Sequence, residues 1–76
     1  MSPPLTPNQR VALKALAQLT RVYPSVGANS WRAKARALAG RLVSFQPEAL
    51  VRRGLVVRFA GGGYAASEAG KREARS

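Results

Sequence analysis

Pro47-Glu48-Ala49-Leu50-Val51-Arg52-Arg53-Gly54 runs directly into Leu55-Val56-Val57-Arg58-Phe59, then Ala60-Gly61-Gly62-Gly63, then Tyr64-Ala65-Ala66-Ser67-Glu68. The hydrophobic period changes within this stretch. Pro47 suits the first position of a helix, where a missing N–H costs nothing, and Gly54 suits its exit. Together they predict a helix of about two turns. Gln46 precedes that start, and Ser44 as the cap would lengthen the helix slightly. Glu48 suits the positive end of the helix dipole and stands four residues before Arg52, a favourable pair. Residues 55–59 are β-branched and aromatic and predict a strand. Residues 60–63 form a turn, and Tyr64-Ala65-Ala66 returns as a second strand. Such a hairpin is marginal unless a helix packs on it. Ser67 then caps a last helical segment, Glu68 to about Arg75.

Upstream of this stretch, Thr6-Pro7-Asn8-Gln9 opens a helix. Thr6 is the N-cap, Pro7 the first helical position and Gln9 completes a capping box. The pattern carries this helix to about Tyr23, before Pro24. Val11, Ala12, Ala15, Leu16, Leu19, Val22 and Tyr23 fall on one stripe, with Leu13 off it. Arg10, Lys14 and Arg21 lie opposite, as a solvated face or a contact for a phosphate backbone. Pro24–Asn29 reads as a loop. Asn29 or Ser30 caps a second helix running to about Leu42. Trp31, Ala35, Leu38, Ala39 and Leu42 share its apolar face. Arg32 and Arg36 flank that face on one side, Lys34 and Arg41 on the other, and Ala33, Ala37 and Gly40 form a small outward strip. Trp31 opens the apolar stripe, which assigns it to the core rather than to stacking on a ligand. Phe45 is assigned to the core in the same way. The expected core is Leu16, Leu19, Trp31, Leu38, Leu42, Leu50, Leu55, Val57 and Phe59. The reading is one α+β, mainly helical domain over residues 1–76, with residues 1–5 a loose lead-in.

Composition narrows the function. Among 76 residues, Lys and Arg number 13 and Asp and Glu 3, for a net charge of +10, with no Cys and no His. The three carboxylates are Glu48, Glu68 and Glu73. No disulfide, no Cys/His metal site and no Ser-His-Asp or Cys-His constellation can be built from these residues. An enzyme is therefore not expected, and no cofactor is called for. A field this positive attracts polyanions, nucleic acid first among them. No basic n-region or apolar h-region opens the chain, and no apolar run has the length of a membrane span. A cytoplasmic protein with no membrane partner is expected, nucleoid-associated if it binds DNA. The three glycines are followed by neither Gly-Lys-Ser/Thr nor a helix start, so they are a hairpin turn and not a nucleotide loop.

Leu50-Val51-Arg52-Arg53-Gly54-Leu55-Val56, a glycine-rich hairpin, then Tyr64-Ala65-Ala66-Ser67-Glu68-Ala69-Gly70-Lys71 resembles the second half of a winged helix-turn-helix DNA-binding domain. Thr6-Pro7-Asn8-Gln9-Arg10 resembles the usual opening of such domains. The likeness covers nearly the whole chain. It implies a three-helix winged helix-turn-helix with a C-terminal two-stranded wing and a short terminal helix. It also implies a DNA-binding transcriptional regulator, with double-stranded DNA as partner. By this resemblance the third helix enters the major groove, with Gln46, Glu48, Arg52 and Arg53 as candidates to meet base edges. Arg58 lies in the wing, and the glycines let its backbone approach DNA. Gln can read adenine and Arg can read guanine. Arg32, Lys34, Arg36 and Arg41 are nucleic-acid-binding candidates on the second helix, clamping phosphates without specifying sequence. Two features point away from base reading: Pro47 shortens the reading helix, and Glu48 puts negative charge where phosphates approach. Phe45 and Glu48 would be natural contacts for a protein. The alternative is thus a stand-alone interaction protein, of the kind phages encode, that inhibits or adapts a host protein or ribonucleoprotein complex, such as RNA polymerase or a CRISPR effector. Little apolar surface is spare, so a monomer or weak homodimer is expected. The first helix and residues 68–75 are the available faces for a dimer.

Overall fold

The structure, a computed structural model, describes residues 4–43 and 45–75. The chain folds as α1 (Pro7–Leu19), β1 (Val26–Gly27), α2 (Ala28–Ala39), α3 (Pro47–Arg52), β2 (Val56–Arg58), β3 (Gly63–Ala66) and α4 (Glu68–Ala74). The three strands form one antiparallel sheet in the order β1-β3-β2. The expected α+β, mainly helical class is what the chain adopts.

The local signals at the helix starts act as expected. Thr6 Oγ1 accepts from Gln9 N at 3.1 Å, and Thr6 N donates back to Gln9 Oε1 at 3.0 Å, a complete capping box. Several boundaries differ. α1 ends at Leu19, not Tyr23. Thr20 Oγ1 donates to the Leu16 carbonyl, a local bond that competes with the helix ladder. Pro24 in turn disfavours helical geometry at Tyr23. Val22 and Tyr23 therefore leave the stripe and lie exposed. α2 starts from Gly27 rather than from a cap at Asn29 or Ser30, and it ends at Ala39 rather than Leu42. Gly40, at φ 67°, adopts the left-handed conformation that closes helices, and its N–H donates to the Arg36 carbonyl. The chain turns away there, so Leu42 is exposed instead of buried, and Leu38, within α2, is exposed as well. Ser44, the alternative cap for α3, lies outside the described residues.

The expected hairpin gains a strand. Val26 pairs with Tyr64 and Gly27 with Gly63, so the expected loop at 24–29 supplies a third strand and β3 becomes the centre. On the other side Val56, Val57 and Arg58 pair with Ala66, Ala65 and Tyr64. Alternation along β2 buries Val56, while Val57 and Phe59 face outward and are about half exposed; neither joins the core.

Trp31 is fully buried with Leu13, Leu16 and Leu50. Its indole Nε1 donates to the Ala12 carbonyl at 2.6 Å. Phe45 meets it edge-on at a centroid distance of 4.9 Å, and Tyr64 lies at 5.2 Å. Leu19, Phe45 and Leu55 pack around this core half-buried. Among the described residues, ten buried hydrophobic ones lie outside the expected core, Val26, Val56 and Tyr64 of the sheet among them, and two, Leu5 and Leu13, go against the reading of their segments. Leu5, in the supposed loose lead-in, is buried. Leu13, off the stripe of α1, is covered because α4 packs on that side.

The exit of α3 is a Schellman motif. Gly54 N donates to the Val51 carbonyl and Leu55 N to the Leu50 carbonyl, with Gly54 at φ 75°. The start of α4 clamps this turn. Ser67 Oγ donates to the Gly54 carbonyl at 2.6 Å and accepts from Gly70 N at 3.0 Å, while Ser67 N donates to the Leu55 carbonyl. Gly70 is buried in α4, and a Cβ there would overlap the Leu55 carbonyl oxygen and crowd Leu13. The sign of one substitution tests this packing. Ala is the better helix former by about 1 kcal/mol, yet overpacking against backbone costs about 1–3 kcal/mol. Gly70→Ala should therefore lower the urea midpoint, and a raised midpoint would contradict the close approach.

Candidate nucleic-acid interface

α3 is anchored by Leu50, which is 1% exposed, with Val51 packed half-buried against the same core. Burying Leu50 turns Glu48 and Arg52, one helical turn apart, outward into solvent. Gln46 is the N-cap residue but makes no side-chain capping bond, so its amide is not spent on the helix and it remains exposed. A small groove of about 210 Å³ lies beside it, between the N-terminal ends of α1 and α3, with Asn8, Gln9 and Leu50 in its wall.

Glu48 does not pair with Arg52. Its Oε1 accepts from Arg58 Nη1 at 3.0 Å, with both side chains about half exposed. β2 explains the partner: Arg58 lies two residues beyond Val56 and shares its strand face. The bond joins the reading-helix candidate to the hairpin and offsets the negative charge on α3. Arg52 makes no ion pair among the described residues, which leaves its guanidinium available.

The hairpin closes through Phe59 N to the Gly63 carbonyl (2.8 Å) and Gly62 N to the Phe59 carbonyl (2.9 Å). Gly62 sits at φ 91°, a conformation side chains rarely adopt. The glycines here serve the turn.

The remaining candidates divide. Arg32 is exposed with its guanidinium carbon 5.1 Å from the Phe45 ring centroid, a cation–π contact. This sets it beside the segment leading into Gln46. Arg36 follows one turn later on the same flank of α2, exposed. Arg53, the C-cap of α3, is half-buried. Lys34 falls on the other flank of α2 and is half-buried. Arg41 lies beyond the end of α2 and donates Nη1 to the neighbouring Leu42 carbonyl. The structure thus groups Arg32, Gln46, Arg52 and Arg58 around α3, with Arg36 behind Arg32, and leaves Lys34 and Arg41 apart. The ion pair to Arg58 escaped sequence reasoning, because its partners lie ten residues apart across a helix and a strand. Alternation in β2 was the one available signal.

Among the described residues, no group of three potential metal ligands comes together, and no helix is long and apolar enough to cross a membrane. Comparison with known proteins returns no matching family model, no matching curated protein and no matching solved structure.

Exposed ion pairs contribute little to stability. A double-mutant cycle with Glu48→Ala and Arg58→Ala should give a coupling energy below ~1 kcal/mol. A larger value would make the pair a structural strut rather than a means of aligning charge.

Proposed function

We propose that the chain is a winged-helix module that binds double-stranded DNA and acts as a small transcriptional regulator. The observation that carries this reading is the attachment of α3 to the hairpin by Glu48–Arg58, within the order helix, strand, helix, helix, hairpin and a β1-β3-β2 sheet. Three helices, a hairpin and a terminal helix are the order that the resemblance to a winged helix-turn-helix implies, and β1 adds a third strand to it. In such domains the third helix lies in the major groove and the wing beside it on the backbone, so a bond between them sets their spacing.

α3 has six residues and is therefore about 9 Å long at 1.5 Å per residue. It fits a major groove ~12 Å wide, but it offers few side chains to base edges. Gln46 and Arg52 are the base-reading candidates, with Arg53 at the helix exit. Arg32 and Arg36 act on phosphates, as do Lys34 and Arg41 at the margin. Arg58, shared with Glu48, orients the wing. Most of the affinity comes from counterion release and depends steeply on salt.

A second reading rests on a different observation. Val57 and Phe59 share the outward face of the hairpin and are 43% and 44% exposed. An apolar face of this kind suits a protein contact, as in an inhibitor or adapter of a host nucleic-acid machine.

Fluorescence anisotropy with genomic fragments and random duplex at two salt concentrations separates the readings. For the DNA reading, binding falls with salt and some fragments are preferred. Arg36→Ala then weakens all duplexes alike and lowers the salt slope by about one, while Arg52→Ala narrows the difference between preferred and random duplex. Glu48→Gln strengthens binding by removing a charge that repels phosphate. Absence of duplex binding at low salt would overturn the DNA reading in favour of a protein target.

A further inference from the structure

A second basic surface lies away from α3. α1 and α4 pack together, and a groove of about 450 Å³ runs between them. Four cations line it: Lys14 and Arg21 from the α1 side, Lys71 and Arg75 from the α4 side. Among the described residues no carboxylate lines it, and none of the lining residues comes from α2, α3 or the hairpin.

The groove and α3 lie on different sides of α1. A helix advances about 100° per residue. Asn8, Gln9 and Ala12, which wall the groove toward α3, therefore project from one side of α1. Lys14, Ala17 and Gln18, which face the α4 groove, project from the opposite side.

Its chemistry selects among anionic partners. Lys71 shares its charge with Glu68 at 3.5 Å, and Arg75 Nε donates to the Lys71 carbonyl. Lys14 and Arg21 have no ion pair among the described residues. The apolar part of the lining comes from the methyl groups of Ala17 and Ala74 and the aliphatic stems of the cations, with no large apolar side chain, and the polar Gln18 and Thr20 flank it. An acidic helix docks by burying large apolar anchors in pockets, and this floor has none to offer. A phosphodiester backbone needs cations and hydrogen-bond donors and no apolar cover. The Gln18 amide can donate to it, while the Thr20 hydroxyl proton is already given to the Leu16 carbonyl.

We propose that the α1–α4 groove is a second phosphate-backbone site, so that one molecule engages two nucleic-acid segments, one on each side of α1. The inference rests on the DNA-binding reading only for the segment at α3. The groove also gives α1 and α4, otherwise the available faces for a dimer, a different occupant.

Amide spectra of the ¹⁵N-labelled full chain, titrated with a short duplex of about one helical turn (~10 base pairs), test the two sites separately. Amides of Ala17, Gln18, Thr20 and Ala74 report on the groove, and those of Arg52, Arg53, Val57 and Arg58 report on α3 and the hairpin. Both sets are expected to shift, with different saturation. Lys14→Gln with Arg75→Gln should silence the groove set, keep the α3 set and lower the salt slope by about one per cation removed. Shifts confined to the α3 set, even at large duplex excess, would overturn the groove site and leave the DNA reading standing. Shifts confined to the groove set would uphold the site and overturn the α3 reading. Silence in both sets would overturn both. Poly-glutamate shifting the groove set where duplex does not would overturn the assignment to nucleic acid.

Discussion

The structure depends on the burial of one indole. Trp31 is wholly enclosed, and a buried N–H must find an acceptor. It takes the Ala12 carbonyl of α1, and that bond fixes how α2 lies on α1. The same ring receives Phe45 edge-on and Tyr64 at a tilt. One side chain thereby sets the position of α2, of the segment entering α3 and of the central strand. Arg32 is the next residue along, and it leans over Phe45. The turn of α2 that builds the core also aims a cation at the entry to α3.

A second set of contacts holds α3 at its exit. The Schellman turn at Gly54 directs the chain into β2, and Ser67 and Gly70 close α4 onto that turn from outside. α3 is short and meets the core through Leu50 and the half-buried Val51, so it draws its placement from what brackets it. Phe45 precedes it, the Gly54–Leu55 turn follows it, and Arg58 ties its solvent face to the hairpin. The Glu48–Arg58 pair adds little stability because it is solvated. Its effect is on alignment and on charge.

Charge is distributed with the same economy. Two of the three carboxylates are held in ion pairs with basic neighbours. The positive field is therefore little interrupted, around α3 and along the α1–α4 groove alike. On the DNA reading proposed above, this field supplies a salt-dependent attraction to the phosphate backbone. On the same reading, the side chains around α3 set how selectively that attraction is used.

Much was legible in the sequence where the physics is local. The Thr6 capping box, Pro47, Gly54 and the Ser67 cap each act through bonds spanning a few residues, and each lies where its residues predict. The glycine turn is of the same kind, since φ at Gly62 is a property of that residue. Most of what failed depended on partners distant in the chain, while the early ends of α1 and α2, at Thr20 and Gly40, have local causes. β1 has two residues, too few to show a period, and it exists because Tyr64 and Gly63 lie beside it. Leu13 is buried because α4 covers it, Leu42 is exposed because Gly40 turns the chain away, and Glu48 finds Arg58 instead of Arg52. The amino-acid order thus determined the helices, the hairpin and the charge. Only the tertiary structure decided which face of each helix is covered and which cations stand together, because burial and ion pairing are set by neighbours that the chain brings together only when it folds.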